Sequence, residues 1–393
     1  MKKIMIIAHF CNDFDINGNN RFNYLANLLS KNYDVELVTT DFSHRKKAYR
    51  NTETPDFNFK ITMLHEGVYK KNISPQRLIA HRIFGKSLKN YLNSLNEKPD
   101  VIYCAFPSPD AAYEAGVYAK KNGIKFIIDV QDLWPEAFLL ALNIPPLFYP
   151  MKHKADKIYS MADEIVAVSE EYCNRAKRVN TKTNAIHPVF IGTKLSVFDD
   201  NVLNNSFERK DDEFTVAYAG SLSKSYDVKS AIDSMVILRE QGYSNIKLLI
   251  MGDGHMREEL TAYALEKSLT NVEFTGHLPY PEMCGRLSAC DAALNLIVKG
   301  SAGSIINKHA DYAASGIPVI NTQECEEYRK LVDYYQMGFN CINENPEDLA
   351  KKIKLLINDA ELKIKMGKNA RKCAQEKFDR ENTYQEIVDL IIS

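Results

Sequence analysis

No stretch of this 393-residue sequence stays apolar for the roughly 20 residues that a membrane-spanning helix needs. The first apolar run, Ile4 to Ala8 behind Met1-Lys2-Lys3, is too short for the core of a secretion signal. Cys11, Cys104, Cys173, Cys284, Cys290, Cys325, Cys341 and Cys373 never form a C-x-x-C pair and never share zinc spacing with histidine. Scattered thiols of this kind read as reduced core residues, which predicts an intracellular, cytoplasmic chain, soluble or peripheral to a membrane. Excess charge of one sign is missing too. With 50 Lys and Arg against 51 Asp and Glu, the net charge of −1 excludes a globally basic nucleic-acid binder. No basic–aromatic platform for nucleic acid is present either. Tryptophan is reduced to one residue, Trp134.

What remains is an ordinary globular balance, 45% hydrophobic and 26% charged, in a length that suggests two to three domains at about 150 residues each. The charge is uneven along the chain. Residues 1–190 carry 26 basic and 20 acidic side chains, and the remainder carries 24 and 31. A basic half followed by an acidic half suggests two modules with different partners.

Hydrophobic periodicity gives the fold class. Lys3–His9 reads as a buried strand, Phe22, Leu25, Leu28 and Leu29 as one helix face, and Val35–Thr40 as a second strand. Apolar strands recur at Val101–Phe106, Lys125–Val130 and Glu164–Ser169, with helices near 110–121, 150–161 and 170–179. Strands that are apolar throughout are buried on both faces, as in a parallel sheet. Residues 191–213 are polar and rich in turn formers, among them Asp199-Asp200-Asn201 and Asn204-Asn205-Ser206, and predict a linker. The alternation then restarts with Phe214–Gly220, Ile246–Gly252, Val272–Gly276, Ala292–Ile297 and Ile317–Ile320, separated by helices at 227–241 and 255–268. The expectation is α/β: two Rossmann-like doubly wound domains, 1–190 and 214–377, facing across a cleft.

Several segments carry candidate chemistry, each with a plainer alternative. Gly18 and Asn19 lie between the first strand and helix without a G-x-G-x-x-G pattern. A phosphate or acceptor could approach there, or the loop is an ordinary turn. In Asp129-Val-Gln-Asp-Leu-Trp-Pro-Glu136, Gln131, Asp132, Trp134 and Glu136 fall at the carboxyl edge of a strand. The alternative makes Trp134 core and Asp132 a helix cap. Gly252-Asp253-Gly254 would let a flat ring approach the backbone, although the same tripeptide is a common turn. The strongest stretch is Gly300 to Gly316. A small-residue loop opens a helix whose first N–H groups favour a phosphate. Lys308 stands one turn on to neutralise a diphosphate, and Asp311 is placed to accept two ribose hydroxyls. The plainer reading is a capped surface helix with a Lys–Asp pair. Residues 77–92 combine Leu78, Ile79, Ile83, Phe84, Leu88 and Leu92 with Arg77, Arg82, Lys86 and Lys89. That pattern fits a helix on an anionic membrane surface, and equally a core-facing helix with a solvated basic side.

The run Asn307-Lys308-His-Ala-Asp311-Tyr312-Ala-Ala-Ser-Gly316-Ile-Pro318 resembles the donor-site helix of family-four retaining glycosyltransferases of the GT-B fold. Tyr218-Ala-Gly220, Met251-Gly-Asp-Gly254, Phe274-Thr-Gly276 and Asp129-Val-Gln-Asp-Leu-Trp-Pro135 occur in the family's order, so the resemblance spans essentially the whole chain. It implies that 378–393 packs back on the first domain. It implies a nucleotide-sugar donor, a UDP-sugar, with Asp311 on the ribose. Lys308, Ser304 and the N–H groups of Ile305 and Ile306 would lie near the diphosphate, with Gly252, Asp253, Gly254 and Gly276 near the base. Gly220 and the loop cation Lys224 would join the diphosphate side. Asp132, Gly18, Asn19, Gln131 and Trp134 would lie on the acceptor side. Asp132, Lys308 and Asp311 are the expected catalytic set, and neither a metal nor a tightly bound cofactor is required. Family members often carry two glutamates eight residues apart, and here those positions are Gly303 and Asp311. The histidine common before the N-domain aspartate is Gln131.

These features predict a hexosyltransferase of capsule, exopolysaccharide or O-antigen assembly. The expected acceptor is a polyprenyl-diphosphate-linked sugar at the inner face of the plasma membrane, with residues 77–92 meeting anionic lipid. Gly303 and Gln131 keep two alternatives open: an inert GT-B binding module and a nucleotide-sugar epimerase.

Overall fold

The computed structural model describes the chain except residues 12–13, 15–19, 51–55, 73, 137–144, 183–185, 209–211 and 301–303, and the side chains of 145–148. It divides into two compact units, Met1–Phe190 with Tyr384–Ser393, and Ile191–Thr383.

The first unit is built on a parallel sheet of seven strands. In chain order these are β1 (Lys3–Ile7), β2 (Asp34–Thr40), β5 (Lys60–Leu64), β6 (Val101–Phe106), β7 (Lys125–Val130), β8 (Glu164–Ala167) and β9 (Ile186–Pro188). The hairpin strands β3 (Phe42–Ser43) and β4 (Ala48–Tyr49) stand apart from them. The spatial order is β5-β2-β1-β6-β7-β8-β9, so the winding reverses between β1 and β6. Ile4 is in register with Val35 on one side and Val101 on the other. All six residues of β6 are buried, as its apolar sequence requires.

Asp129 is the buried polar residue of β7, with 0% of its surface exposed. Its carboxylate takes two hydrogen bonds from Arg21, at 2.7 and 3.2 Å, and one from Tyr103 at 2.8 Å. Arg21 also donates to the carbonyls of Val189 and Phe190 and to the Tyr384 hydroxyl. This one side chain therefore binds both places where the chain leaves and re-enters the unit. The returning helix Gln385–Ile392 buries Ile387 and Ile391 in the same core as Ile4, Leu25 and Val101.

The second unit repeats the plan with six parallel strands: β10 (Phe214–Ala219), β11 (Ile246–Met251), β12 (Val272–Gly276), β13 (Ala292–Asn295), β14 (Val319–Asn321) and β15 (Gly338–Asn340). The order β12-β11-β10-β13-β14-β15 reverses between β10 and β13. The expected linker is only partly a linker. Leu195–Asn204 is a helix that belongs to this unit. Leu195 and Phe198, three residues apart, bury one side of it, and Asp199 pairs with Arg371 at 2.6 Å. Its acidic and amide residues read as turn formers because so short an apolar stripe is hard to see among them.

Candidate functional site

In doubly wound sheets, ligands bind beyond the carboxyl ends of the strands where the winding reverses. In the second unit that place lies after β10 and β13. A Cβ on Gly252 would come within 1.7 Å of the Gly220 carbonyl oxygen, and one on Gly254 within 2.1 Å of that of Leu222. These glycines are needed first so that the loops after β10 and β11 can touch. Asp253 is exposed, accepts from the Gly254 N–H at 2.7 Å and pairs with Arg257 at 3.2 Å. The Arg257 guanidinium also lies against Gly276, where a Cβ would sit 3.2 Å from Nη1.

The helix Asn307–Ala314 follows β13. Tyr312 fixes it, because its hydroxyl accepts from the Ala219 N–H at 3.0 Å and reaches the Leu294 carbonyl at 3.1 Å. His309 is buried and stacked on Tyr328, with ring centroids 3.5 Å apart. Burial holds it well below its usual pKa, and its Nδ1 accepts the Ile306 N–H at 3.2 Å.

Lys308 extends toward β10. Its Nζ lies 4.4 Å from the Tyr218 ring centre and 4.0 Å from that of Tyr226, and 3.3 Å from the Tyr218 hydroxyl. A Cβ on Gly220 would stand 2.8 Å from it. Burial pushes the ammonium down to about 7, and no carboxylate opposes that among the described residues. Asp311 turns the other way. Its Oδ1 accepts from the Tyr280 hydroxyl at 2.8 Å, and that hydroxyl lies 3.0 Å from Thr193 Oγ1. Burial pushes the Asp311 carboxyl up to about 6, against the Tyr280 hydrogen bond and the charge of Arg380.

In the first unit the winding reverses between His9, two residues beyond β1, and Ser108, two residues beyond β6. His9 Nδ1 and Ser108 Oγ are 2.6 Å apart. His9 Nε2 lies 2.9 Å from Glu66 Oε2, and both residues are 1% exposed. The His9 ring is stacked between Phe10 and Phe84, at 4.5 and 4.1 Å. His81 and Arg77 come from the helix Pro75–Asn93. Arg77 Nε donates to His81 Nε2 at 3.3 Å, and its guanidinium covers Trp134 at 4.9 Å and Phe10 at 5.4 Å. His44 Nδ1 is 2.5 Å from the Tyr69 hydroxyl. Burial, then Lys47 and Arg77, push His44 down to about 4, and burial holds His81 far below its usual value. Asp132 accepts from Trp134 Nε1 at 3.1 Å and from the Leu133 N–H at 2.9 Å, while burial raises its pKa.

Residues 199–373 match the family described as "Glycosyl transferases group 1". The matched residues lie within the second unit. Over 236 residues the chain is 25% identical to "Capsular polysaccharide biosynthesis glycosyltransferase CapM" of Staphylococcus aureus, covering 58% of this chain and 60% of CapM. Over 241 residues it is 23% identical to "Probable glycosyltransferase WbjE" of Pseudomonas aeruginosa, covering 59% of each. The chain thus spans about 60% of the length of these relatives. The crystal structure of Anabaena HepE in complex with UDP superimposes over 100% of both chains with a TM-score of 0.72 at 15% identity, a likeness of fold. The fold is GT-B.

Within the matched residues, Gly220, Gly252, Gly254 and Gly276 gather with Lys308 at the strand ends, and Ser304 and Ile305 are buried at the approach to the helix Asn307–Ala314. Two expectations, and the plainer alternative for the helix Asn307–Ala314, need correction. The Ile306 N–H is occupied by His309, so it is not open to a phosphate. Lys224 is exposed, and Tyr226, two residues on, is the loop side chain that reaches Lys308. Lys308 and Asp311 form no surface pair, since each is drawn to a different set of tyrosines. In the first unit Trp134 is buried, Asp132 is turned onto its indole, and Gln131 lies 3.5 Å from Asp129. Glu136 is taken up by Arg175 at 2.5 Å. Gly18, Asn19 and Gly303 lie outside the described residues. The reading of the sequence passed over His9, His44, Glu66, Tyr69 and His81, and took Arg77 for a surface charge. The one local signal was His9, a titratable side chain just beyond a buried strand.

Proposed function

We propose that the chain is a retaining hexosyltransferase that moves a sugar from a UDP-sugar to a lipid-linked or oligosaccharide acceptor in surface polysaccharide assembly. The observation that carries this reading is Lys308, a cation held on two tyrosine faces at a reversal of the winding with no carboxylate against it among the described residues. Asp311, one turn further along the same helix, is held through one oxygen, and its second oxygen suits a ribose hydroxyl. The names of CapM, for capsular polysaccharide, and of the HepE complex with UDP support the same chemistry.

In this mechanism the bond between the anomeric carbon and the diphosphate breaks as the acceptor oxygen bonds to the same face. The acceptor proton passes to the leaving diphosphate, so no protein nucleophile is needed. Lys308 and the positive end of the donor helix stabilise the charge that develops on the leaving group. They take the place of a divalent cation, and EDTA is expected to leave turnover unchanged. The helix Pro75–Asn93 exposes Leu78 and Ile79 beside Arg82, Lys86 and Lys89, which suits an anionic lipid surface where such an acceptor would reside.

The test is the melting temperature against UDP, GDP, ADP, CMP and their sugar conjugates. A ligand at about 100 times its dissociation constant stabilises by about 2.7 kcal/mol, a shift of a few degrees. UDP and one UDP-sugar should raise the melt, and Asp311→Ala should abolish the shift. A melt that no nucleotide moves would overturn the proposal.

A further inference from the structure

Three asparagines stand level across the sheet of the second unit. Asn295 of β13 is in register with Asn321 of β14, and Asn321 with Asn340 of β15. Asn295 and Asn321 are fully buried at the last positions of their strands, where an apolar side chain would cost less. Their amides form a chain with a fixed direction. Asn321 Oδ1 accepts the Gln323 N–H at 3.1 Å, which sets the way that amide faces. Asn295 Nδ2 donates to Asn321 Oδ1, Asn321 Nδ2 to Asn340 Oδ1, and Asn340 Nδ2 to Asp333 Oδ1, each at 2.8 Å.

The opposite end of the chain reaches the segment before the helix Asn307–Ala314. Asn295 Nδ2 also donates to Gln323 Oε1 at 3.0 Å, and Gln323 Nε2 donates to the Ser304 carbonyl at 2.9 Å. His309 Nδ1 accepts the Ile306 N–H at 3.2 Å, so the proton of the neutral ring sits on Nε2. The Gln323 side chain accepts from that ring. Asn295 Nδ2, 3.1 Å from the same ring nitrogen, has its hydrogens on Asn321 and Gln323. Gln323 and His309 are 1% and 0% exposed, so neither touches a ligand in bulk water. What they hold are two consecutive fixed points, the Ser304 carbonyl and the Ile306 N–H. Between these lie the Ser304 hydroxyl and the Ile305 N–H, neither of which is hydrogen-bonded among the described residues. A buried network whose every amide has one direction admits one geometry.

We infer that Gln323 and His309 are positioning residues for the leaving diphosphate, pinning the chain on either side of Ile305 so that the Ser304 hydroxyl and the Ile305 N–H stay aimed at phosphate oxygens. The inference rests on the transferase reading. It adds that recognition of the second phosphate is built from β14 and its asparagine neighbours as well as from the helix.

The experiment is calorimetry on the full chain with UDP, UMP and uridine, at a temperature where circular dichroism shows each variant folded. The parent should bind UDP at least tenfold more tightly than UMP. Gln323→Leu, and His309→Phe, which keeps a ring against Tyr328, should each cut that preference about tenfold and leave uridine affinity within twofold. His309→Asn, whose Oδ1 replaces Nδ1 as the acceptor, should restore most of it. A merely structural role would lower the melting temperature and leave the ratio of UDP to UMP affinity where it was. If Gln323→Leu does not fold, the two His309 variants decide. The inference alone is overturned if the parent binds UDP no more tightly than UMP, if His309→Phe keeps the parent's ratio, or if His309→Asn loses as much as His309→Phe. A parent that binds no UDP overturns the transferase reading, and this inference falls with it.

Discussion

An ammonium packed against two tyrosine rings gains cation–π attraction but loses most of its hydration, and Lys308 is therefore pushed down to about 7. A bound diphosphate reverses that balance. At pH 8 UDP binding should draw close to one proton from the buffer, measured by calorimetry in buffers of different ionisation heat, and Lys308→Met should draw none. Equal heats in all buffers would contradict the contact. Asp311 gives a second pH signature. With its carboxyl raised to about 6, UDP affinity should fall as pH drops through 6 in the parent and stay flat in Asp311→Asn. The same shifts act on stability. The raised Asp311 favours the folded state below about 4 and loses that contribution as pH rises through 6, while the depressed Lys308 costs stability as pH falls from about 10 through 7. Lys308 and Asp311 stood out in the sequence because a small-residue loop before a helix suggests an anion site. Their tyrosine partners were not, since Tyr218, Tyr226 and Tyr280 come from segments remote in sequence.

At the scale of elements, the helix Asn307–Ala314 is wired to the segment where the second unit begins. Asp311 is held by Tyr280, and Tyr280 by Thr193. The Thr193 N–H donates to the Phe378 carbonyl, and Arg380 donates to the carbonyls of Ile191 and Gly192. Gly192 adopts a left-handed φ of +64°, and a Cβ there would meet the Phe378 oxygen at 2.4 Å, so the two chain segments need that glycine to pack. Removing a hydrogen bond to a charged group costs about 1.5–3 kcal/mol, which is tenfold or more in affinity. Tyr280→Phe should weaken UDP by about that factor, as calorimetry would register, while Thr193→Ser stays near the parent. The helix Pro75–Asn93 gives a separate expectation. Arg82→Glu with Lys86→Glu should reduce co-sedimentation with anionic vesicles, most clearly at low salt. That helix also shows the limit of periodicity. Its amphipathic pattern was plain, yet Arg77 and His81 turn inward with Phe84 and Leu88, which only packing reveals.

For the whole molecule, two parallel sheets were readable because apolar strands alternated with helical stripes on either side of residue 200. Less readable was how the two ends of the first unit are held together, because Arg21 does that work from a helix near the N-terminus. Its guanidinium joins Asp129, Val189, Phe190 and Tyr384, four positions with no shared pattern in sequence. Removing one partner of a buried ion pair costs about 3–5 kcal/mol. Arg21→Ala should therefore lower the unfolding midpoint of the first unit and leave UDP affinity in the second unchanged. The proposed binding of a nucleoside diphosphate by the second unit is tested most directly by titrating UDP into the parent, Lys308→Met and Asp311→Ala by calorimetry at pH 7.5. One site per chain is predicted, weakened at least tenfold in each variant. Saturable binding that both variants retain, or no binding by the parent, would contradict it.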